Sequence, residues 1–339
     1  MHYQYSAVFL DTSIFDGQNY NFGSQAFVAF LKVFKDIDIP LLLPDPIERE
    51  IRRHLRQRAI EAIDHLETAR RKAPFIAEWP RFPKDLNLED DTAQLQALAD
   101  AAFEKFLKEV QVVRIDYKNV NLPKVMDWYE KGSAPFSSKG SKRKEFPDAL
   151  AFEMVLQNAM TYSTVAVVSA DKDFQRACEQ LPNVLYVESL PKLTQNLLAE
   201  PEKVNELIYQ IEEDIEKLEA SVFPLIRGLP FYDFRGNYEI FESEFTRIYF
   251  FELIIVGLGD NGECTLFFYA EAETVHKARW TSSLTPPEWA RGGAVGVIKN
   301  SAAIGGSVKL AVKDGKIESV GVILLDDDEI PILQLPGED

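Results

Sequence analysis

Ala7-Val8-Phe9-Leu10-Asp11-Thr12-Ser13 is an unbroken apolar run that ends on a carboxylate and two hydroxyls. A short apolar run closed by a turn reads as a strand buried on both faces, with Asp11 at its carboxyl end. The same pattern recurs. Leu41-Leu42-Leu43 precedes Pro44-Asp45-Pro46-Ile47-Glu48-Arg49-Glu50, a proline-started helix carrying Glu50 in its second turn. Phe146-Pro147-Asp148-Ala149 opens another helix, with Asp148 in the first turn where the helix dipole favours an acid. Val165-Ala166-Val167-Val168-Ser169-Ala170-Asp171 repeats the strand-to-acid step. Joined in one parallel sheet, these segments bring four acids to the carboxyl edge, where open α/β sheets place their sites.

Converging carboxylates repel. Two of them about 4 Å apart do so by roughly 4 kcal/mol at an effective dielectric near 20, so a cluster either shares protons or holds a cation. An oxygen-only set suits Mg²⁺ or Mn²⁺. His2, His54, His65 and His276 show no ligand spacing, and neither do the two cysteines. Each acid also has a bland explanation when taken singly: Asp11 and Asp171 as turn or helix caps, Asp148 as a favourable first-turn acid.

Helices are expected at Gln25 to Phe34, from Pro46 onward, at Asp91 to Val110, near Pro123 to Lys131, at Pro147 to Met160 and at Phe174 to Gln180. Further strands are expected near Val112 to Ile115 and at Val184 to Val187. Arg56 to Lys72 and Asp91 to Val110 form a helical arm, and Gly132 to Glu145, rich in Gly, Ser and Lys, reads as a mobile loop. Pro201 to Ala220 is strongly amphipathic and is expected as a linker or docking helix. From Tyr238 the pattern becomes strand, turn, strand. Asp260-Asn261-Gly262 and Asp314-Gly315 are hairpin signals, so an antiparallel β domain is expected there. The domain expectation is 1–195 as an α/β domain with a helical insertion at about 56–131, 196–230 as a linker helix, and 231–339 as the β domain.

A net charge of −17 opposes broad attraction to nucleic acid or anionic lipid. Two local basic clusters run against it: Arg49, Arg52, Arg53 and Arg56 beside Glu50, and Lys139, Lys142, Arg143 and Lys144 before Asp148. Solvated faces are the bland account of both. Trp79 and Phe82 are core or hinge residues first and base-stacking candidates second. Glu252 interrupts the best apolar run, Ile248 to Leu258, so no membrane span is expected. Met1 to Ser6 carry no Lys or Arg, and a cytoplasmic location follows by default. Cys178 and Cys264, placed in different domains, are expected as reduced thiols.

Together, Val8-Phe9-Leu10-Asp11-Thr12-Ser13, Leu43 to Glu50, Phe146 to Ala149 and Val168-Ser169-Ala170-Asp171-Lys172-Asp173-Phe174 resemble the PIN-domain nucleases, in particular the bacterial branch with a helical insertion. The resemblance spans residues 1 to roughly 190. It implies a PIN-like parallel sheet flanked by helices and a Mg²⁺- or Mn²⁺-dependent endoribonuclease using one or two ions, cutting single-stranded or structured RNA, as a toxin or defence effector. By motif position it implies Asp11, Glu50, Asp148 and Asp171 as metal ligands, Asp173 as an acid reaching a second metal or its water, and Thr12 and Ser169 as supports. The two basic clusters would then track the strand. The competing readings are a DNA nuclease of nickase or flap type, and an inactive scaffold that binds a protein partner. The acidic β domain lies outside the resemblance; an antitoxin, a regulatory protein or a second copy of the chain are its expected partners.

Overall fold

The computed structural model describes residues 4–78, 88–136, 146–179, 181–198, 200–229, 231–233, 238–259, 262–281, 295–326 and 330–332. In chain order, β1 (Ala7–Leu10) passes through Asp11 into α1 (Thr12–Gly17) and α2 (Gln25–Phe34). Next, β2 (Leu41–Pro44) runs straight into α3 (Asp45–Lys72), followed by α4 (Leu88–Lys108), β3 (Val112–Ile115) and α5 (Leu122–Lys131). Then come α6 (Phe146–Ala159), β4 (Val165–Val168), α7 (Lys172–Cys178), β5 (Val184–Val187) and α8 (Leu190–Asn196). These elements make the first of two compact units, Met1–Leu197.

Its sheet is wholly parallel, in the order β3-β2-β1-β4-β5. Every residue of β1, β2 and β4 is buried, which is why these strands read as continuous apolar runs and do not alternate. Strand order reverses between β1 and β4, so the carboxyl ends of these two strands flank the switch point of a doubly wound sheet. The arm expected at Arg56 to Lys72 is the continuation of one unbroken 28-residue helix, the same α3 that carries Glu50. α4 packs antiparallel along it, as the Arg52–Glu104 and Arg56–Asp100 pairs show. Phe15, Phe22, Phe27, Phe103 and Phe106 form one aromatic cluster joining α1, α2 and α4.

The second unit, Leu198–Asp339, begins with α9 (Pro201–Glu213) and α10 (Ile215–Arg227). Sequence periodicity predicts one helix ending before Pro224; the chain instead breaks at Asp214, and Pro224 lies inside α10. After β6 (Phe231–Asp233), the long strands β7 (Tyr238–Leu258), β8 (Glu263–Trp280), β9 (Val295–Lys313) and β10 (Lys316–Leu325) form an antiparallel sheet in the order β10-β9-β8-β7; β11 (Ile330–Ile332) pairs with β6. Leu207, Ile211, Leu218, Val222 and Ile226 of the two helices share one core with Ile255, Leu266, Phe268, Ile304 and Val308 of the sheet. Segment 201–227, expected as a linker or docking helix, therefore docks on this sheet and covers it. The Asp314-Gly315 turn has both residues at positive φ, as a two-residue hairpin requires. At Gly262, φ +82, a Cβ would stand 2.0 Å from the Val312 carbonyl oxygen, so only glycine fits.

One buried histidine makes this unit sensitive to acid. His276 is fully buried, with Nδ1 2.8 Å from Ser243 Oγ and Nε2 2.8 Å from Thr274 Oγ1. Thr274 Oγ1 also donates to the Asn300 carbonyl, so it accepts from Nε2–H and leaves Nδ1 to accept from Ser243. Burial lowers the His276 pKa. A depressed histidine pKa means that the unfolded chain binds the proton first. The stabilisation is thus complete above about pH 6.5 and is lost as pH falls toward the folded-state value. Thermal melts between pH 7.5 and pH 5 should show the transition of this unit falling with pH, and His276→Gln should flatten that dependence; an unchanged slope in the variant would assign it to other groups.

Candidate metal and active site

The site grows from the end of β1. Asp11 is 3 % exposed and caps α1. Its Oδ2 accepts hydrogen bonds from Ser13 N (3.3 Å), Ser13 Oγ (2.5 Å) and Ser169 Oγ (2.7 Å). The two hydroxyls stitch the switch point together, because Ser169 Oγ also accepts from Asp171 N (2.9 Å) and Ser13 Oγ from Ala170 N (3.0 Å). Asp11 Oδ1 has the Thr12 hydroxyl beside it, at 3.4 Å, and that hydroxyl lies 3.5 Å from Glu50 Oε2. Glu50 gives its other oxygen to Arg53 (2.9 Å), with the His54 ring nitrogen 3.7 Å away. One oxygen of each acid therefore remains turned toward Thr12.

Burial raises the Asp11 pKa, against the lowering effect of its Ser13 and Ser169 hydrogen bonds. No cationic side chain within 4 Å compensates it among the described residues. Asp171 is exposed and caps α7, accepting from Asp173 N at 2.8 Å; the Asp173 carboxylate pairs with Arg176. The bland capping roles thus hold for Asp11 and Asp171, and they coexist with placement at the switch point. Asp148 stands half-buried in the first turn of α6. Lys139, Lys142, Arg143 and Lys144, within 137–145, lie outside the described residues, as do Trp79 and Phe82. Among the described residues no three acidic, histidine or cysteine side chains are grouped closely enough to hold one ion. The donor chemistry fits a hard divalent cation all the same: two carboxylate oxygens that share only the long contacts of the Thr12 hydroxyl between them, at 3.4 and 3.5 Å, with no sulfur or imidazole in the set.

The arginines of α3 divide. Arg52, its side chain 22 % exposed, is held by Glu48, Asp100 and Glu104 and sits 5.1 Å over the Phe103 ring. It clamps α3 to α4. Arg56 pairs with Asp100, Arg49 with Asp45, and Arg53 with Glu50. Arg49 and Arg53 are the open ones, at 72 % and 70 % exposure.

Ser13 and Tyr20 were not singled out in the sequence. Ser13 was legible only as the second hydroxyl of Asp11-Thr12-Ser13. Tyr20 is buried, its hydroxyl has no hydrogen-bond partner among the described residues, and burial and the Asp16 charge raise its pKa, with smaller contributions from Glu50 and Asp11. An unpaired phenol near two acids is a feature that only the folded chain reveals.

The candidate acids at strand ends thus stand at the switch point of a 3-2-1-4-5 parallel sheet, the place where open α/β sheets bind their ligands. The family model of the PIN domain matches residues 8–174, from within β1 into α7, and the N-terminal unit of this chain is a PIN domain. The matched span contains all five candidate acids. PIN domains are generally metal-dependent nucleases. No curated protein and no solved structure matches the chain. No described helix is long and apolar enough to cross a membrane.

The unpaired, buried charge of Asp11 carries a stability cost that an amide would not. A carboxyl whose folded-state pKa is raised destabilises the fold at neutral pH and stops doing so below the unfolded value near pH 3.9. Asp11→Asn should therefore raise the melting temperature in EDTA at pH 7. The gain should shrink as pH approaches 4; a variant less stable than wild type across the whole range would make Asp11 a structural carboxylate.

Proposed function

We propose that this chain is a Mg²⁺- or Mn²⁺-dependent endoribonuclease that cuts single-stranded or structured RNA. The observation that supports it most is the Asp11 carboxylate, buried at the switch point with one oxygen left toward Thr12 and Glu50. Asp11, Glu50, Asp148 and Asp171 would hold one or two ions, with Asp173 as a further acid. A bound divalent cation supplies a lowered pKa for water and neutralises charge on the phosphate and the leaving oxygen.

The protein's own groups do the rest. Ser13 and Ser169 fix Oδ2 of Asp11, so that Oδ1 is presented in one orientation. Thr12 keeps the Asp11 and Glu50 carboxylates in register. Arg53 and Arg49, exposed beside Glu50, would meet phosphates of the strand; Arg56 would do so by exchanging Asp100 for phosphate. Lys139, Lys142, Arg143 and Lys144 complete the proposed strand contacts. A role as a toxin or defence effector, with an antitoxin or regulator on the acidic β domain, belongs to the same reading, as does self-association into a homodimer. A cytoplasmic location is part of it too.

Purified protein should cut RNA in Mg²⁺ or Mn²⁺, cut matched single-stranded DNA more slowly, and be silent in EDTA. Asp148→Asn should abolish cleavage with an unchanged melting curve. Cleavage undiminished in Asp148→Asn would remove that residue from the site; DNA cut preferentially would replace the substrate, and no cutting with any metal would favour a binding scaffold.

The arginines give a second, separable expectation. Arg53→Ala should weaken RNA binding and reduce the log-log salt slope by about 0.7 while leaving stability unaltered. Arg52→Ala should instead cost about 2 kcal/mol in denaturant titration, because three acids lose a shared partner. The opposite pattern would exchange the two roles.

A further inference from the structure

A cavity of about 860 Å³ in the first unit lies between α2, α4 and the 20–23 loop, on a different set of residues from the acids of the switch point. Its volume is in the range of small-molecule sites. Phe22, Val28, Leu31, Ala102 and Phe106 give it apolar walls. Phe22 is stacked on Phe106 (centroids 5.3 Å apart, planes at 28°) and on Phe103 (5.8 Å, 24°), so these rings support Phe22 from within while it lines the cavity. Val28 is 50 % exposed, an apolar side chain presented to whatever enters.

Three lysines line the cavity, Lys32 and Lys35 from α2 and Lys105 from α4, against two acids, Asp36 and Glu109. Lys35 pairs with Glu109. Lys32 and Lys105 make no ion pair within 4 Å and no hydrogen bond among the described residues, though the Lys105 charge helps to lower the Glu109 pKa, so two ammonium groups without a direct partner stand on opposite helices of an apolar groove. In a chain of net charge −17 such a local excess of cations is against the trend.

The wall is also preformed. Asn19 and Tyr20 both hold positive φ, 51° and 55°, a conformation unfavourable for a tyrosine by on the order of 1 kcal/mol. Arg58 holds this turn in place: it pairs with Asp16 at 2.8 Å, reaches Asn19 Oδ1 at 3.4 Å and lies 5.1 Å over the Tyr20 ring. A cavity whose mouth is fixed before binding has little ordering cost left for its ligand.

We infer that this cavity binds a small planar aromatic anion, its ring stacked against Phe22 between Leu31 and Phe106 and its anionic group held between Lys32 and Lys105. A flat ring suits a stacked aromatic floor, and an anion suits two ammonium groups that no acid pairs directly among the described residues. The inference does not depend on nuclease activity and is tested by binding alone.

Isothermal titration of the full-length protein with 2-naphthoate, 2-naphthalenemethanol, laurate and adenosine monophosphate separates the contributions. 2-Naphthoate should bind saturably at one site, with Kd below about 1 mM for a ligand of this size. The neutral alcohol and laurate should each bind at least tenfold more weakly. In the Lys32→Ala/Lys105→Ala variant the 2-naphthoate affinity should fall at least tenfold, and Ala102→Trp, which fills the groove from an exposed helix position, should abolish it with the melting temperature maintained. Adenosine monophosphate binding tighter than 2-naphthoate would place nucleotides within the class; weaker binding would favour a simple arene carboxylate. No saturable 2-naphthoate binding, an affinity within twofold of wild type in the double lysine variant, or equal binding of the alcohol or of laurate would overturn the inference.

Discussion

The site depends on one energetically unfavourable placement, a carboxylate buried where two parallel strands part. Asp11 has no cationic partner within 4 Å among the described residues, and its pKa is raised by burial, yet it is held in a single orientation by Ser13 and Ser169. Hydrogen bonds from neutral hydroxyls fix the group without cancelling its charge. A lysine or arginine in the same place would stabilise the fold and also occupy the oxygen that faces Glu50. The residues around Asp11 therefore keep its charge available, at a cost in stability that proteins commonly accept at functional positions.

The long helix α3 connects this placement to the surface. Its second turn supplies Glu50 and its following turns supply the arginines, so the register that turns Glu50 toward Thr12 also decides which arginines meet α4. Arg52 faces α4 and its acids; Arg53, the next residue, points outward and stays exposed. Neighbouring residues on a helix differ by about 100° in direction, which is enough to turn one cation into a structural clamp and leave the other for a ligand. A cluster of four arginines in sequence is thus two kinds of residue in space.

The strands were legible because their burial is complete. Ala7–Leu10, Leu41–Pro44 and Val165–Val168 are apolar without interruption, and a fully buried parallel strand has no other way to appear. Asp314-Gly315 was legible because few residue pairs accept positive φ twice in succession. The acids at strand ends followed from the same reading. What escaped were contacts between segments remote in sequence. Arg52 finds Asp100 and Glu104 only because α4 folds back along α3, and Ser13 matters only because Ser169 arrives from β4. Tyr20 shows a further limit: nothing in Asn19-Tyr20-Asn21 marks a tyrosine at positive φ, and the Arg58 guanidinium that packs over its ring comes from another helix.

The helices from Pro201 to Arg227 illustrate what periodicity can and cannot say. An amphipathic stripe states that one face is buried, and it is silent about the partner. A linker helix and a sheet-covering helix share that stripe. The distinction lies in the strands that follow: Leu266, Phe268, Ile304 and Val308 leave one face of an antiparallel sheet apolar, and such a face must be covered by something. Leu207, Ile211, Leu218, Val222 and Ile226 supply the cover from the same chain, immediately before the sheet begins. A chain cut at about residue 230 would expose that face to water, and truncating any one of these buried Leu or Ile side chains to Ala costs about 2–5 kcal/mol. The second unit is therefore a helix-covered sheet with its own core, and any activity it has must be sought with α9 and α10 in place.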